Sequence, residues 1–159
     1  MYQRILVPID GSPTSNRGLD EAIALGKLTG GRLRLVHVVD ELIFSTGFET
    51  YSPNTADLIP LMKQAGQELL ARSKQRADGQ GVAIDTVLLE CLGVRLSDLV
   101  IEQAQGWKAD LIVIGTHGRR GVRRLLLGSD AEQILRLSPV PVLLVRGVAT
   151  DADSAPATA

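Results

Sequence analysis

The sequence Asp110-Leu-Ile-Val-Ile-Gly115 opens the stretch that decides the fold, and a second pattern follows at 130–137. The apolar run in the first pattern is typical of a strand buried on both faces. The second, Asp130-Ala-Glu-Gln-Ile-Leu-Arg-Leu137, has the apolar spacing of a helix. A glycine-rich loop without acids joins them, and its arginines are Arg119, Arg120, Arg123 and Arg124. The stretch therefore predicts a strand–loop–helix unit.

The same alternation runs through the rest of the chain. Apolar runs predict strands at Ile5–Ile9, Arg32–Val39, Val82–Leu89, Leu111–Ile114 and Ser138–Arg146, with helical spacing between them. This alternation indicates an α/β domain with a parallel sheet and helices on both faces. In such sheets ligands bind at the carboxyl ends of the strands, where the strand order reverses. If the first and fourth strands are neighbours there, Asp10 and the arginine-rich loop face one crevice.

Local signals predict where several elements begin. Ser12 is expected to cap the first helix, with Pro13 as its first residue. Ser129 is expected to cap the last helix. Pro139 and Pro141 fit only the first residue or an edge of the fifth strand, because proline cannot donate to a ladder.

The composition limits the classes of function. The chain has 159 residues, a net charge of −1, 45% hydrophobic residues and 22% charged residues, which fits one ordinary domain. The charge argues against general nucleic-acid binding. Cys91 is the single cysteine, which excludes an intrachain disulfide. Apolar runs stay well short of the ~20 residues of a membrane span, and the first residues lack the pattern of a signal peptide, so a cytoplasmic location without membrane partners is expected.

Two segments show no clear period. Residues 40–57 hold Phe44, Phe48 and Tyr51, and the pattern leaves open a plug on a sheet edge, a dimer contact or a ligand lid. Residues 148–159 have the composition of a disordered tail. The expected domain therefore covers residues 1–147.

The loop after the fourth strand has the composition of an anion site. Glycines let the backbone approach an anion, the first N–H groups of a helix lack intrahelical partners, and arginines add positive charge. An ordinary solvated loop fits the same composition, and spacing alone does not separate the two. The sequence lacks a lysine-bearing phosphate loop, a dinucleotide fingerprint after the first strand and a serine-hydrolase elbow.

Three further side chains are candidates for chemistry. His37 lies in an apolar strand and is expected to be a core histidine rather than a ligand. His117 lies in the glycine loop, where it either approaches a phosphate or faces water. Asp10 is a turn residue, or it accepts from a ribose hydroxyl or holds Mg²⁺ near phosphates. The two histidines of the sequence do not favour a catalytic or metal cluster.

The motif Gly115-x2-Gly118-x9-Gly128-Ser129 has the spacing of the ATP-binding signature of the universal stress protein family. Segments 4–12, 35–39, 110–115 and 139–145 are also similar to strands of that family, so the chain resembles its ATP-binding branch over about residues 3–146. The resemblance implies a five-stranded parallel sheet in the order 3-2-1-4-5, similar to the adenine nucleotide alpha hydrolase-like fold. It also implies a homodimer formed through the last strand.

The resemblance further implies ATP as the ligand, and Mg²⁺ at Asp10 is an open addition to it. Asp130 departs from many relatives, and its carboxylate would repel a polyphosphate unless Mg²⁺ or an arginine lies between them. The residues that the resemblance assigns to the nucleotide are Pro8, Ile9 and Asp10 on the adenosine side, the backbone of Val38 at the adenine, and Ile114, Gly115, Gly118, Gly128 and Ser129 around the ribose and phosphates. His117 and Arg119 of the same loop are further candidates for nucleotide contacts. The pattern leaves open whether Arg119, Arg120, Arg123 and Arg124 reach phosphates, a partner or only water.

The expected function is a cytoplasmic ATP-binding regulator of the stress response, which changes conformation or partners when nucleotide binds. The sequence offers no evident general base for water, so slow ATP turnover at most is expected. One alternative is a dimeric interaction module with a vestigial pocket. Another is a nucleotidyl- or phosphotransferase, although the His-x-Gly-His motif of related folds is absent from the sequence.

Overall fold

The computed structural model describes residues 1–40, 55–91, 93–116 and 127–147. Phe44, Phe48 and Tyr51 and the tail at 148–159 lie outside the described residues, so the predictions for them stay predictions. Within them, strands and helices alternate as β1 (Arg4–Pro8), α1 (Pro13–Thr29), β2 (Arg32–Asp40), α2 (Thr55–Asp78), β3 (Ile84–Cys91), α3 (Leu96–Gly106), β4 (Leu111–Gly115), α4 (Ser129–Leu137) and β5 (Val142–Val145).

The strands form one parallel sheet in the order β3-β2-β1-β4-β5. In the register of the central strands, Pro8 of β1 lies opposite Val36 of β2, and Leu6 of β1 lies opposite Ile112 of β4. The chain passes from β1 outward to β3 and then returns to β4 on the other side of β1. The strand order therefore reverses between β1 and β4, which confirms the predicted architecture and order.

Helices cover both faces of the sheet because strand side chains alternate between two apolar clusters. On the α1–α2 face, Ile5 and Leu35 pack in one cluster with Leu19 of α1. On the α3–α4 face, Leu6 packs in a second cluster with Ile134 of α4. Within the described residues, no helix combines the length and apolar character that a membrane crossing requires.

The two ends of α1 follow the local signals. The Ser15 N–H donates to Ser12 Oγ at 3.2 Å, so Ser12 is the N-cap, and Pro13 is the first helical residue. At the other end Gly30 takes φ 67°, a left-handed conformation that glycine adopts without strain.

Two strands are shorter or later than predicted. β3 begins at Ile84 rather than Val82, because Gly81 turns the chain at φ 77° and Val82 is buried in the core before the strand starts. β5 covers Val142–Val145 rather than Ser138–Arg146. Its predicted first residues form a turn instead, in which Ser138 Oγ donates to the Val140 carbonyl at 2.7 Å.

Candidate functional site

The carboxyl end of β1 remains attached to the sheet for one residue beyond the strand. Pro8 ends β1, and the N–H of Ile9 still donates to the Val36 carbonyl of β2 at 2.8 Å. The chain then leaves the sheet at Asp10. This places Asp10 at the edge where the strand order reverses.

Hydrogen bonds to the start of α1 hold Asp10 in place. Its Oδ1 accepts from the N–H of Ser12 at 2.9 Å, and its own N–H donates to Ser15 Oγ at 3.1 Å. Gly11 between them takes φ 80°, which favours glycine. The predicted turn role of Asp10 is therefore present, and the half-buried carboxyl group has a fixed position.

Gly115 ends β4 against the first turn of α1. A Cβ on Gly115 would lie 2.8 Å from the carbonyl carbon of Thr14 and 2.9 Å from the nitrogen of Ser15. Distances this short to backbone atoms force a shift of the helix. Gly147, just after β5, is close to the same turn, since its Cβ would lie 2.9 Å from Thr14 Cγ2. The fold itself therefore requires a glycine at position 115.

The start of α4 corrects one prediction. Ser129 is the first helical residue and Gly128 is the N-cap, so the expectation that Ser129 caps this helix is wrong. A glycine has no side chain that could accept from the first N–H groups, and among the described residues no side chain caps α4. The N–H of Gly128 donates to the Thr116 carbonyl at 2.9 Å. That bond ties the helix start to the end of β4.

The described surroundings of Gly128 do not require glycine. Its φ of −58° and ψ of 144° are open to any residue. A Cβ would meet the Thr116 carbonyl oxygen at 3.5 Å, which is ordinary van der Waals contact. Packing among the described residues thus requires a glycine at position 115 but not at position 128, although both glycines belong to one motif.

Pro8, Val38 and Ile114 share the α3–α4 face of the sheet near this edge, as the strand register and the alternation of side chains require. Val38 is half-buried against the cluster of that face, and Ile114 is buried within it. Ile9 belongs to the cluster on the opposite face. The backbone of Ile9 therefore lies at the carboxyl end of β1, whereas its side chain is part of the core on the α1–α2 face.

Comparison with known proteins identifies the family. The family model described as the universal stress protein family matches residues 1–146. A universal stress protein of Methanocaldococcus jannaschii is 39% identical over 147 residues, which covers 92% of this chain and 83% of the relative. The chain belongs to the universal stress protein family.

Solved structures of universal stress proteins agree with the fold of this one. A family member from Burkholderia pseudomallei is 31% identical with a TM-score of 0.72, and the match covers 91% of this chain and 96% of that chain. A universal stress protein in complex with cAMP is 26% identical with a TM-score of 0.62, over 91% of this chain and 97% of that chain. The family thus includes a member with a bound adenine nucleotide.

In this universal stress protein, Asp10, Gly115, Gly128 and Ser129 come together at the carboxyl ends of β1 and β4. Several residues assigned to the nucleotide by resemblance, or considered with them, lie outside the described residues: His117, Gly118, Arg119, Arg120, Arg123 and Arg124.

Sequence reasoning missed two residues of the first turn of α1. Ser15 accepts from Asp10 and donates to the capping Ser12, and a serine three residues after a cap was the available signal. Thr14 is the residue against which Gly115 and Gly147 pack. Nothing in the sequence indicates that contact, because it depends on how α1 lies over β4 and β5.

Among the described residues, Asp10 and Asp130 carry charge near this edge of the universal stress protein. Asp130 is exposed in the first turn of α4, where the helix dipole favours a carboxylate. Within the described residues, no group of three or more His, Cys, Asp and Glu side chains could hold a metal ion.

Proposed function

We propose that this protein binds ATP at the carboxyl ends of β1 and β4, as a member of the branch with the Gly-x2-Gly-x9-Gly-Ser signature. It acts as a cytoplasmic regulator of the stress response, and nucleotide binding changes its conformation or its partners. Turnover of ATP is slow or absent. The shared family and the adenine nucleotide in a relative support the nucleotide part of this proposal.

The observation that carries the proposal is the start of α4. Among the described residues, nothing crowds a side chain at Gly128, its backbone is permissive, and α4 begins without a side-chain cap. Uncapped N–H groups at a helix start favour an anion, and a glycine lets that anion approach the backbone. α3, with Arg95 as its N-cap, also lacks a side-chain cap among the described residues, so the glycine is the distinguishing feature of α4.

The proposed contacts combine the family resemblance with the positions of the described residues. Pro8, Val38 and Ile114 offer an apolar surface on one face for the adenosine, with the Val38 backbone at the adenine. The Asp10 carboxyl group accepts from a ribose hydroxyl or holds Mg²⁺ at the phosphates. The full set comprises Pro8, Ile9, Asp10, Val38, Ile114, Gly115, His117, Gly118, Arg119, Gly128 and Ser129.

Gently purified protein tests the proposal against a vestigial pocket. Mass spectrometry of the released small molecules should find an adenine nucleotide. ATP added to nucleotide-free protein at about 100 times Kd should stabilise it by ~2.7 kcal/mol, or roughly 5–10 °C in Tm. Empty protein with an unchanged Tm in ATP would instead support an interaction module without a working site.

A second measurement concerns turnover. Release of inorganic phosphate from ATP by micromolar protein should stay near the uncatalysed background, because the sequence offers no evident general base for water. Steady turnover that scales with protein concentration would contradict the regulatory role and favour an enzyme.

We also propose that the protein forms a homodimer through β5. β5 pairs with β4 on one side and is one of the two edge strands of the described sheet, with β3 at the other edge. Its Leu143 is 38% exposed, and an exposed apolar edge strand is a template for pairing with another chain.

A further inference from the structure

His37 is a buried histidine of β2 that reaches the end of β1. Its side chain lies on the α1–α2 face, where the residue is 8% exposed. Nδ1 lies 2.7 Å from the carbonyl oxygen of Ile9. Because a carbonyl oxygen only accepts, Nδ1 carries the proton and donates. The imidazole is thus oriented toward the last residue before Asp10.

This bond completes the attachment of Ile9. Its N–H is already bonded to the Val36 carbonyl, and β1 ends one residue earlier at Pro8. His37 binds the remaining backbone group of this residue, the Ile9 carbonyl oxygen. The direction in which the chain enters Asp10 is therefore set by β2 from both sides of the residue.

Gly66 in the middle of α2 makes room for the imidazole. A Cβ on Gly66 would lie 2.8 Å from His37 Cδ2 and 2.7 Å from Leu88 Cδ1. Glycine inside a helix costs about 1 kcal/mol relative to alanine. The helix keeps this unfavourable residue where the ring of His37 packs against it. Two residues on different elements thus serve one hydrogen bond to Ile9.

We propose that His37 is a positioning residue for the nucleotide site, which acts by holding the Ile9 carbonyl and thereby the Asp10 carboxyl group. This role rests on the proposed ATP site. A histidine that only satisfied the core would influence stability and leave nucleotide affinity unchanged once the protein is folded. A positioning histidine influences the affinity for ATP through Asp10. Substitution of such a histidine lowers this affinity only when the new side chain has no hydrogen-bond donor at the place of Nδ1.

Two amide variants separate these roles. In His37→Asn the amide nitrogen occupies nearly the place of Nδ1, whereas in His37→Gln it occupies nearly that of Nε2. Calorimetric titration with ATP should give a Kd for His37→Asn within about threefold of wild type, and a Kd for His37→Gln raised tenfold or more. Equal effects of the two variants on Kd, or a normal Kd for His37→Gln, would overturn the role.

The coupling to Asp10 is tested by the double variant His37→Gln/Asp10→Asn. If His37 acts through Asp10, the loss of affinity caused by His37→Gln should nearly vanish in the Asp10→Asn background. Additive losses would show that His37 does not act through Asp10.

A readout without nucleotide keeps the two proposals apart. The backbone amide resonances of Asp10 and Ser12 in nucleotide-free protein should shift in His37→Gln and stay near their wild-type positions in His37→Asn. Wild-type protein that fails to bind ATP would overturn the proposed function, and with it the role of His37 in binding. Wild-type protein that binds ATP, with unmoved Asp10 resonances in His37→Gln, would overturn the role of His37 alone.

Gly66→Ala provides a second route to the same displacement. The added methyl group should push the imidazole away from Ile9 and weaken ATP binding several-fold. Gly106→Ala is the matched control, because Gly106 also lies in a helix and a Cβ there meets nothing within 4 Å. Unchanged ATP affinity in Gly66→Ala, with the His37 ring displaced in its crystal structure, would contradict the proposal.

Discussion

Gly128 and Gly115 belong to one sequence motif but differ in what their surroundings demand. The described structure around Gly128 accommodates a methyl group, with the nearest contact at 3.5 Å. At Gly115 the same methyl group would collide with the backbone of Thr14 at 2.8 Å. The proposed ligand contact at Gly128 and the packing constraint at Gly115 are therefore separable by two single substitutions.

Gly128→Ala should weaken ATP binding tenfold or more, because the methyl group occupies space that a phosphate oxygen is proposed to use. Its free energy of unfolding should remain within about 1 kcal/mol of wild type, since Gly-to-Ala changes at compatible backbone positions are neutral or stabilising. Calorimetric titration and urea denaturation measure the two quantities. An unchanged Kd for ATP would contradict the proposed contact between Gly128 and a phosphate.

Gly115→Ala is the contrasting variant. It should lower the free energy of unfolding by about 1–3 kcal/mol, as overpacking does elsewhere, whether or not nucleotide is present. Urea denaturation of nucleotide-free protein gives the answer. Wild-type stability would mean that α1 moves away from β4 without cost.

The same residues show what sequence can predict at this scale. The spacing of the motif led to Gly115, Gly128 and Ser129, and the structure brings them to one edge. It did not reveal that Gly115 is required by Thr14, or that Ser129 is helical rather than the cap. Likewise Gly66 lies 29 positions from His37 in the chain, and only the packing of α2 on β2 brings them together.

At the scale of elements, the acidic residues in the first turn of α4 favour the helix but oppose the proposed binding of phosphates. Asp130 and Glu132 favour the positive end of the helix dipole, and the same end is proposed to face phosphates. The exposed Asp130 carboxylate stabilises the helix and would repel the polyphosphate that is proposed to bind there.

Asp130→Asn should therefore raise the affinity for ATP by roughly two- to fivefold, the effect of one charge at a helix start. The gain should be smaller for AMP, which carries fewer negative charges, and should shrink as salt is added. Titrations with ATP and AMP at low and high salt measure both trends. Weaker ATP binding in this variant would indicate that Asp130 contributes a favourable contact, for example through Mg²⁺.

Element type was easier to predict than element ends. Buried parallel strands produce continuous apolar runs, so β1, β2 and β4 were evident in the sequence. Val82 is apolar, and the segment 138–141 combines an apolar residue with two prolines, yet both lie outside the strands. Their exclusion depends on the turn at Gly81 and on the bond from Ser138 to Val140, which the apolar pattern does not reveal.

At the scale of the whole molecule, the order β3-β2-β1-β4-β5 places the proposed nucleotide site between the two central strands and leaves β5 at the edge. Alternation of strands and helices predicted a parallel sheet, whereas the order itself followed from the family resemblance. Gly147, just after β5, packs near Thr14 in the first turn of α1, and Gly115 of the proposed site packs against the same residue. The edge strand and the proposed site are therefore neighbours through α1.

Leu143→Glu should convert the proposed homodimer to a monomer, because a charged side chain at an edge strand opposes strand pairing. Size-exclusion chromatography with light scattering gives the mass. The matched control is Leu28→Glu on α1, where the leucine is already 84% exposed. A wild-type protein that is monomeric at high concentration would contradict the dimer, as would a Leu143→Glu variant that stays dimeric.

The position of the nucleotide is tested most directly by amide chemical-shift changes during titration of isotope-labelled protein with ATP. The account predicts saturable shifts at Asp10, Val38, Gly128 and Ser129, at the carboxyl ends of the strands. It predicts none at Arg4, Lys27 and Arg32, which line a basic depression at the amino ends. Shifts confined to that depression, or no saturable shifts at millimolar ATP, would contradict it.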